Sequence, residues 1–452
     1  MIGSQPKSNM KTLDGLSRRL AEFSVGLELK NVPAKAQENA KIAILDCLGV
    51  AVLATSQEIG EKLIGFATSN AAPGPCTIWG TPLSLNMRDA ALLNGALAHG
   101  MDYDDRNHAS TYSLAVALAT AEHVDASGIA TLEAFIASRE IRATLDAIFA
   151  KRSTGIGPGA KGWHSNGILG PIASACAASK LLRMDVQGTG TAIGLAAGSC
   201  GALTRDGGTM AKPFRVGHAA ATGITCALLA REGLTADDVA LEGRYGLLDA
   251  LGPLPEEVLT SLGGDLGYKF DLERDVRVKP FASCTATHAG VEAMFRLVEK
   301  YSVSAAEVDH IEADLKPYPL VRQMPKRGFE GRFSMPFCLA HVLVHRRLQP
   351  TDFTDQRLEE PLIQAVIRSV EHTPESPDVT VVMKSGDRLT EAIQPPGDLK
   401  GWEQTKQKFT ASAAKRLTRE QIETVIDSVK QLPAMVSIRP FTAVLRTARS
   451  VS

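Results

Sequence analysis

The feature that most constrains this chain is a set of runs built almost wholly from small side chains. Gly170-Pro171-Ile172-Ala173-Ser174-Ala175-Cys176-Ala177-Ala178 is one. Ala219, Ala220, Gly223 and Ala227 repeat the theme at helical spacing. Helices carrying such faces can approach closely, so most of the chain is expected to form a tightly packed helical body. Ile42, Ala43, Leu45, Leu48 and Val50 to Leu53 make a strongly apolar helix within it. Ala90 to Ala98 makes another, stopped by Gly100. Pro213 is expected in the first turn of a helix reaching Leu229, where a missing N–H costs nothing. Thr235-x-x-Asp238 reads as a capping box.

The periodicity changes after Gly264. Val308 to Leu315 alternates like a half-buried strand, residues 359–371 read as helix, and Asp378 to Lys384 with Arg388 to Ile393 flank a Ser385-Gly386-Asp387 turn as a hairpin. Pro395-Pro396-Gly397-Asp398 then breaks the chain, and Thr418-x-x-Gln421 caps a helix with Ile422, Val425, Ile426 and Val429 on one side. The expected fold is mainly α: a large all-helical domain built from both chain ends (11–268 and 400–452) with a smaller inserted α+β lid domain (269–399). The first ten residues are expected to be loose.

A formal charge of -1 gives no electrostatic case for nucleic acid, so any anion site must be local. The seven cysteines are scattered and never form Cys-x-x-Cys, which argues against a zinc site or a disulfide framework and fits reduced thiols in the cytoplasm. No secretory signal pattern and no run of ~18 apolar residues is present, so no membrane span is expected.

Four segments carry the candidate chemistry. Gly162-Trp163-His164-Ser165-Asn166-Gly167 delivers a histidine to the start of a small-residue helix. Lys212 lies in Ala211-Lys212-Pro213-Phe214, and Lys279 in Val278-Lys279-Pro280-Phe281-Ala282-Ser283-Cys284. His99-Gly100-Met101-Asp102-Tyr103-Asp104-Asp105 ends a helix on an acidic cluster. Read alone, the lysines are solvated surface residues, His164 a loop or core histidine, and the aspartates a helix end or hard-metal ligands. The metal reading is set aside, because a helix terminus rarely aims three nearby carboxylates at one ion. Gly155-x-Gly157-x-Gly159 lacks the Gly-Lys-Ser/Thr ending of a phosphate loop. His341 and His345 have zinc-like spacing without the accompanying glutamate and read as helix residues, as does His99 on its apolar face.

In order and spacing, these segments together resemble the MmgE/PrpD family, over nearly the whole chain. Gly331-Arg332-Phe333-Ser334-Met335-Pro336-Phe337 adds to the likeness, being similar to the family's Lys/Arg-Phe-Ser-x-Pro-Tyr segment. The family includes 2-methylcitrate dehydratase, cis-aconitate decarboxylase and iminodisuccinate epimerase. The resemblance implies an all-α domain, a mixed α/β lid, a cleft between them, a homodimer, and a lyase or isomerase needing no metal and no other cofactor. Its substrate would be a small di- or tricarboxylate, with charge building up next to a carboxylate. Dehydration ranks first, decarboxylation second and epimerisation third, and a non-catalytic polycarboxylate-binding dimer is the alternative from another class. His164, Lys212, Lys279, Asp102 and Tyr112 are the implied catalytic residues. Arg106, Lys212, Lys279, Cys284 and His108 are the implied substrate ligands.

This chain departs from the family at three of those positions. The family's Asp-Phe-Asp-Asp-Thr ends here in Arg106, a fork suited to a carboxylate. A decarboxylase active-site histidine falls near Tyr112, and another matches Cys284. The arginine that often follows that cysteine in dehydratase-like members is Thr285. His288 matches a frequent family histidine near Lys279.

Overall fold

The computed structural model describes residues 15–151, 162–252, 263–316 and 320–447, without the side chains of 148–151. The leading ten residues and the Gly155-x-Gly157-x-Gly159 stretch lie outside the described residues. The protein is mainly α, as its periodicity predicts.

The helical part runs through α1 (Leu16–Gly26), α2 (Ala34–Ala54), α3 (Glu58–Asn70), α4 (Met87–His99), α5 (Ala109–Val124), α6 (Gly128–Lys151), α7 (Ser165–Leu181), α8 (Val186–Gly198) and α9 (Ala211–Arg231). It is not all helix: β1 (Pro73–Thr77) and β2 (Ser84–Leu85) form a small antiparallel ribbon between α3 and α4. The short, proline-rich β1 carries no alternation from which a strand could be read. The Thr235-x-x-Asp238 expectation also fails, since turns follow it directly and the next helix, a single turn, begins only at Leu247. Local capping chemistry there lacks a following apolar periodicity to extend.

Small residues decide how these helices meet. A Cβ on Gly217 of α9 would lie 2.0 Å from the Leu92 carbonyl oxygen of α4, and one on Gly223 would lie 2.3 Å from Ser174 Cβ of α7. α9 is thus clasped between α4 and α7 at backbone distance. Pro171 sits inside α7, and the Gly167 carbonyl that it leaves free accepts the Gly201 N–H at 3.0 Å instead. Gly217→Ala is expected to cost roughly 1–3 kcal/mol, toward the upper end because the obstacle is backbone. Gly190→Ala, in α8 with nothing within 4 Å of its Cβ, is expected to stabilise by ~0.5–1 kcal/mol. Urea midpoints that fail to separate the two variants would remove close packing as the reason for the glycine.

A second hydrophobic core gathers the later elements: α10 (Thr285–Tyr301), β3 (Val308–Ala313), α11 (Met335–His345), α12 (Pro361–Arg368), β4 (Val370–His372), β5 (Asp378–Met383) and β6 (Arg388–Ala392). The sheet order is β4-β3-β5-β6, parallel between β3 and β4 and antiparallel elsewhere. The expected hairpin and the expected helix both form, the helix shorter than 359–371. The chain then returns through α13 (Gly401–Ala413), α14 (Arg419–Lys430) and α15 (Arg439–Val444) to the first core. Thr418 and Gln421 make the expected reciprocal cap of α14.

Among the described residues no single helix is long and apolar enough to cross a membrane. The bent pair α2 and α3 satisfies length and composition together, but α2 is the buried centre of the first core.

Candidate active site

The site forms where the two cores meet, around Asp102. α4 ends at His99, and the loop to α5 carries two residues in the left-handed region, Asp102 (φ 48°) and His108 (φ 58°). Asp and His tolerate that region better than most residues. The loop turns the Asp102 carboxylate toward α9 and the 277–284 segment. Lys212, in the first turn of α9, reaches Oδ1 at 2.5 Å. Lys279 reaches Oδ2 at 3.0 Å and the Asp102 carbonyl at 2.8 Å. All three residues are buried, Lys279 completely. Burial alone would raise the Asp102 carboxyl, but Lys212 and Lys279, then His108 and His99, outweigh it and hold it well below the usual carboxylate range.

Asp104 organises the histidines. Its Oδ1 lies 3.0 Å from His99 Nδ1 and its Oδ2 lies 2.9 Å from His108 Nδ1. Burial opposes its charge, but His108 and His99 hold the carboxyl far below its ordinary range. An ionised carboxylate only accepts, so both rings carry their proton on Nδ1 and a lone pair on Nε2. His99 Nε2 takes a hydrogen bond from Lys212 Nζ at 2.8 Å. His99, Asp104 and His108 each place a ligand atom within 4.8 Å of the others, close enough for a metal. Both Nδ1 atoms and both Asp104 oxygens are nevertheless spent on one another, and the Lys212 ammonium occupies the cationic position beside them.

His164 precedes α7, with its backbone N–H on Ala202 O at 3.0 Å. Its half-buried ring makes no hydrogen bond among the described residues. Burial, then the charges of Lys212, His99 and His108, push it well below the ordinary imidazole range. Cys284 begins α10 beside the lysines, its thiol pushed up by burial and by Asp102. His288 shares the Ser283 carbonyl with Lys279, at 3.1 and 3.2 Å.

Two expected site residues are not brought into this cluster. Arg106 pairs with Asp398 and lies 3.4 Å from the Pro396 carbonyl, so its fork is already occupied. Tyr112 is fully buried in α5 near Arg142 and Arg139, its phenol pushed up by burial. Neither environment could be read from the local sequence, because the partners lie far along the chain.

Three residues join the site that were not among its expected members. His99 is one, its apolar helix context having hidden its two polar partners. Lys408 of α13 is another, pairing with Asp46 at 2.7 Å and donating to the Tyr103 carbonyl at 2.5 Å. It braces the aspartate loop from the chain's far end. The third is Arg332, buried between the Phe329 and Phe353 rings at 4.7 and 4.6 Å. Its Nη2 donates to Pro350 O at 3.2 Å, and burial pushes the guanidinium down to about 10. The Arg-Phe-Ser motif was the signal for it.

A cavity of about 270 Å3 is lined by Asn107, Ala109, Arg139 and Arg274, next to His108, and one of about 670 Å3 lies beside Tyr301 and Arg388.

Comparison with known proteins places this arrangement in a family. Residues 18–257 match the MmgE/PrpD N-terminal domain and residues 281–432 the MmgE/PrpD C-terminal domain, so the chain belongs to the MmgE/PrpD family. It is 27% identical to cis-aconitate decarboxylase of Mus musculus, covering 96% of this chain and 94% of that protein. It is 26% identical to the Homo sapiens protein of the same name, over 96% and 95%. Cis-aconitate decarboxylase of Aspergillus terreus is 25% identical, over 98% of both chains.

Proposed function

We propose that this protein is a lyase acting on a small polycarboxylate, with decarboxylation of a cis-aconitate-like acid as its reaction. The observation that carries the reading is the Asp102 carboxylate held between two buried ammonium groups. A pocket that binds one carboxylate this way has the charge and donors to bind another from a substrate. Among the sequence-based alternatives, the curated relatives move decarboxylation ahead of dehydration.

In this reading the first core, from residues 11–268 and 400–452, is the base, and residues 269–399 are a lid. Lys279 and Arg332 enter from the lid side, and opening between the cores admits the acid. Lys212, with Lys279 once Asp102 yields, holds the carboxylate next to the reacting carbon. The C–C bond to a second carboxylate breaks, CO2 leaves, and the electron pair spreads toward the retained carboxylate before a proton quenches it. Excluding water strengthens the lysine charges at that moment. A homodimer in the cytoplasm, where reduced thiols are at home, belongs to the same reading.

An NMR time course in D2O with cis-aconitate, 2-methylcitrate, citrate and iminodisuccinate tests it. The expected result is loss of cis-aconitate, release of CO2 and one deuterium in the product. Water loss from 2-methylcitrate would reassign the protein to dehydration, and exchange at the α-carbon of iminodisuccinate to epimerisation. Thermal stabilisation by these acids without turnover would favour a binding protein. The absence of both turnover and stabilisation would overturn the polycarboxylate reading.

A further inference from the structure

We propose that Arg332 holds a further carboxylate of the acid, the one that neither rests on the lysines nor leaves as CO2, so that the site selects tricarboxylates over dicarboxylates. This deepens the proposed function and rests on it. The observation behind it is a buried charge without a counterion. Six lysines and arginines are buried among the described residues. Arg139, Arg142, Lys212, Lys279 and Lys408 each lie within 3.0 Å of an aspartate. Arg332, the sixth, is 2% exposed and meets no carboxylate at such a distance among the described residues. Its Nε and Nη1 carry three N–H groups between them and find no acceptor there, while Nη2 donates to Pro350 O. The Phe329 and Phe353 rings stack on the guanidinium. Stacking covers its faces and leaves the N–H edges, which lie in its plane, unpaired. A planar fork held between two rings is preorganised for a carboxylate.

Three contacts place this fork beside the lysine cluster. Nη2 lies 3.7 Å from Sδ of Met101, the residue before Asp102. The Arg332 carbonyl accepts the N–H of Cys284 at 2.8 Å, and that cysteine closes the segment carrying Lys279. The ring of the next residue, Phe333, is 5.1 Å from Lys212 Nζ. Met101 belongs to the first core and Phe333 to the second, so an acid that parts the cores meets the lysines and the fork together.

A tricarboxylate that loses CO2 has three charged groups to place. The lysines take the one beside the reacting carbon. A cation on the leaving group would hold the ground state more tightly than the transition state, because that charge moves away as CO2 forms. Arg332 therefore takes the third group. The other arginines nearby are spent, Arg106 on Asp398, Arg139 on Asp105 and Arg142 on Asp146.

Calorimetric titration with two unreactive probes tests this, propane-1,2,3-tricarboxylate and glutarate, which lacks the central carboxylate. The wild type is expected to bind the tricarboxylate ~30-fold or more tightly than glutarate. Arg332→Met is expected to lose that preference, with glutarate affinity changed less than about threefold. Lys212→Met is expected to weaken both probes. Arg332→Lys keeps the charge without the fork and is expected to lose ~10-fold for the tricarboxylate alone, should methionine disturb the fold. In turnover of the acid that the wild type consumes, Arg332→Met is expected to raise KM with kcat changed less than about threefold. A buried charge without a counterion lowers stability, so the urea midpoint of Arg332→Met is expected to equal or exceed that of the wild type. Equal wild-type affinity for the two probes, or an Arg332→Met loss shared equally between them, would overturn the inference and leave the proposed function standing. Unchanged affinities with a lowered urea midpoint would overturn it too, and make Arg332 a packing residue. Binding of neither probe by the wild type would overturn the polycarboxylate reading and this inference with it.

Discussion

Lys279→Met is expected to damage both stability and turnover, whereas Lys212→Met is expected to damage chiefly turnover. The difference follows from counting N–H groups. An ammonium has three, and Lys279 spends all of them within the protein, on the Asp102 carbonyl, Asp102 Oδ2 and the Ser283 carbonyl. Lys212 spends two, on Asp102 Oδ1 and His99 Nε2, with the Phe333 ring 5.1 Å away. Removing Lys279 strands a buried carboxylate edge and two carbonyls, a change that costs ~3–5 kcal/mol in buried ion pairs. Removing Lys212 leaves Asp102 still paired with Lys279, so ~1–3 kcal/mol is expected. Either loss removes a charged contact to a substrate carboxylate worth ~2–5 kcal/mol, about 30- to several-thousand-fold in kcat/KM. Urea unfolding alongside kcat/KM separates the two effects. Asp102→Asn leaves two ammonium groups facing each other without a counterion, so Asp102→Asn/Lys279→Met is expected to lose less than the sum of its singles. Strict additivity, or a Lys279→Met variant as stable as wild type, would mean that the contacts to Asp102 contribute little.

The same count explains how much of the site could be read from the chain. Lys212, Lys279, His164 and Asp102 announce themselves because each sits against Gly or Pro in a setting where a polar side chain needs a reason. His99 does not, since a histidine among Leu97, Ala98 and small neighbours reads as core until Asp104 and Lys212 are seen at its two nitrogens. Arg106 misleads in the opposite direction. Its fork suits a carboxylate, but the one it meets is Asp398, 292 residues further on. Tyr112 is one turn into a helix buried on every side, which no local pattern separates from a helix with one wet face. The fold follows the same division. Helices with periodic apolar faces, the β5–β6 hairpin and the Thr418 cap are legible because their determinants are local. The β1–β2 ribbon is local too, but its proline-rich β1 and two-residue β2 carry no alternation that would signal it, and the bracing of the aspartate loop by Lys408 comes from a segment far along the chain.

Unfolding is expected to become much easier as pH falls from 6.5 toward 4. Burial pushes His108 down to about 4 and His288 to about 3, and burial with Lys212 pushes His164 well down too. Over this window the unfolded chain takes up protons that the folded protein refuses, so stability rises with pH and is complete above about 6.5. At 1.36 kcal/mol per unit, His108 and His288 are each worth about 3 kcal/mol within the window, and His164 and His341, both lowered by burial, push the same way. Three buried carboxyls oppose them, Glu122 among them, raised by burial. Burial raises Glu140 to about 7 and Asp46 to about 6, so they keep protons that the unfolded chain has lost. Their stabilisation is present at low pH and is lost as pH rises through those values, again about 3 kcal/mol each. Four depressed rings against three raised carboxyls leave a net loss on acidification. Below that window the depressed carboxyls of Asp102 and Asp104 push the same way. Urea midpoints at pH 7, 5.5 and 4.5 measure the slope. His288→Asn removes one titrating ring at the price of a pH-independent offset from its lost bond to Ser283, so its slope is expected to flatten by about one proton. Stability that holds or climbs toward pH 4.5 would put Glu140 and Asp46 in control. Glu140→Gln would then be the variant that alters the slope.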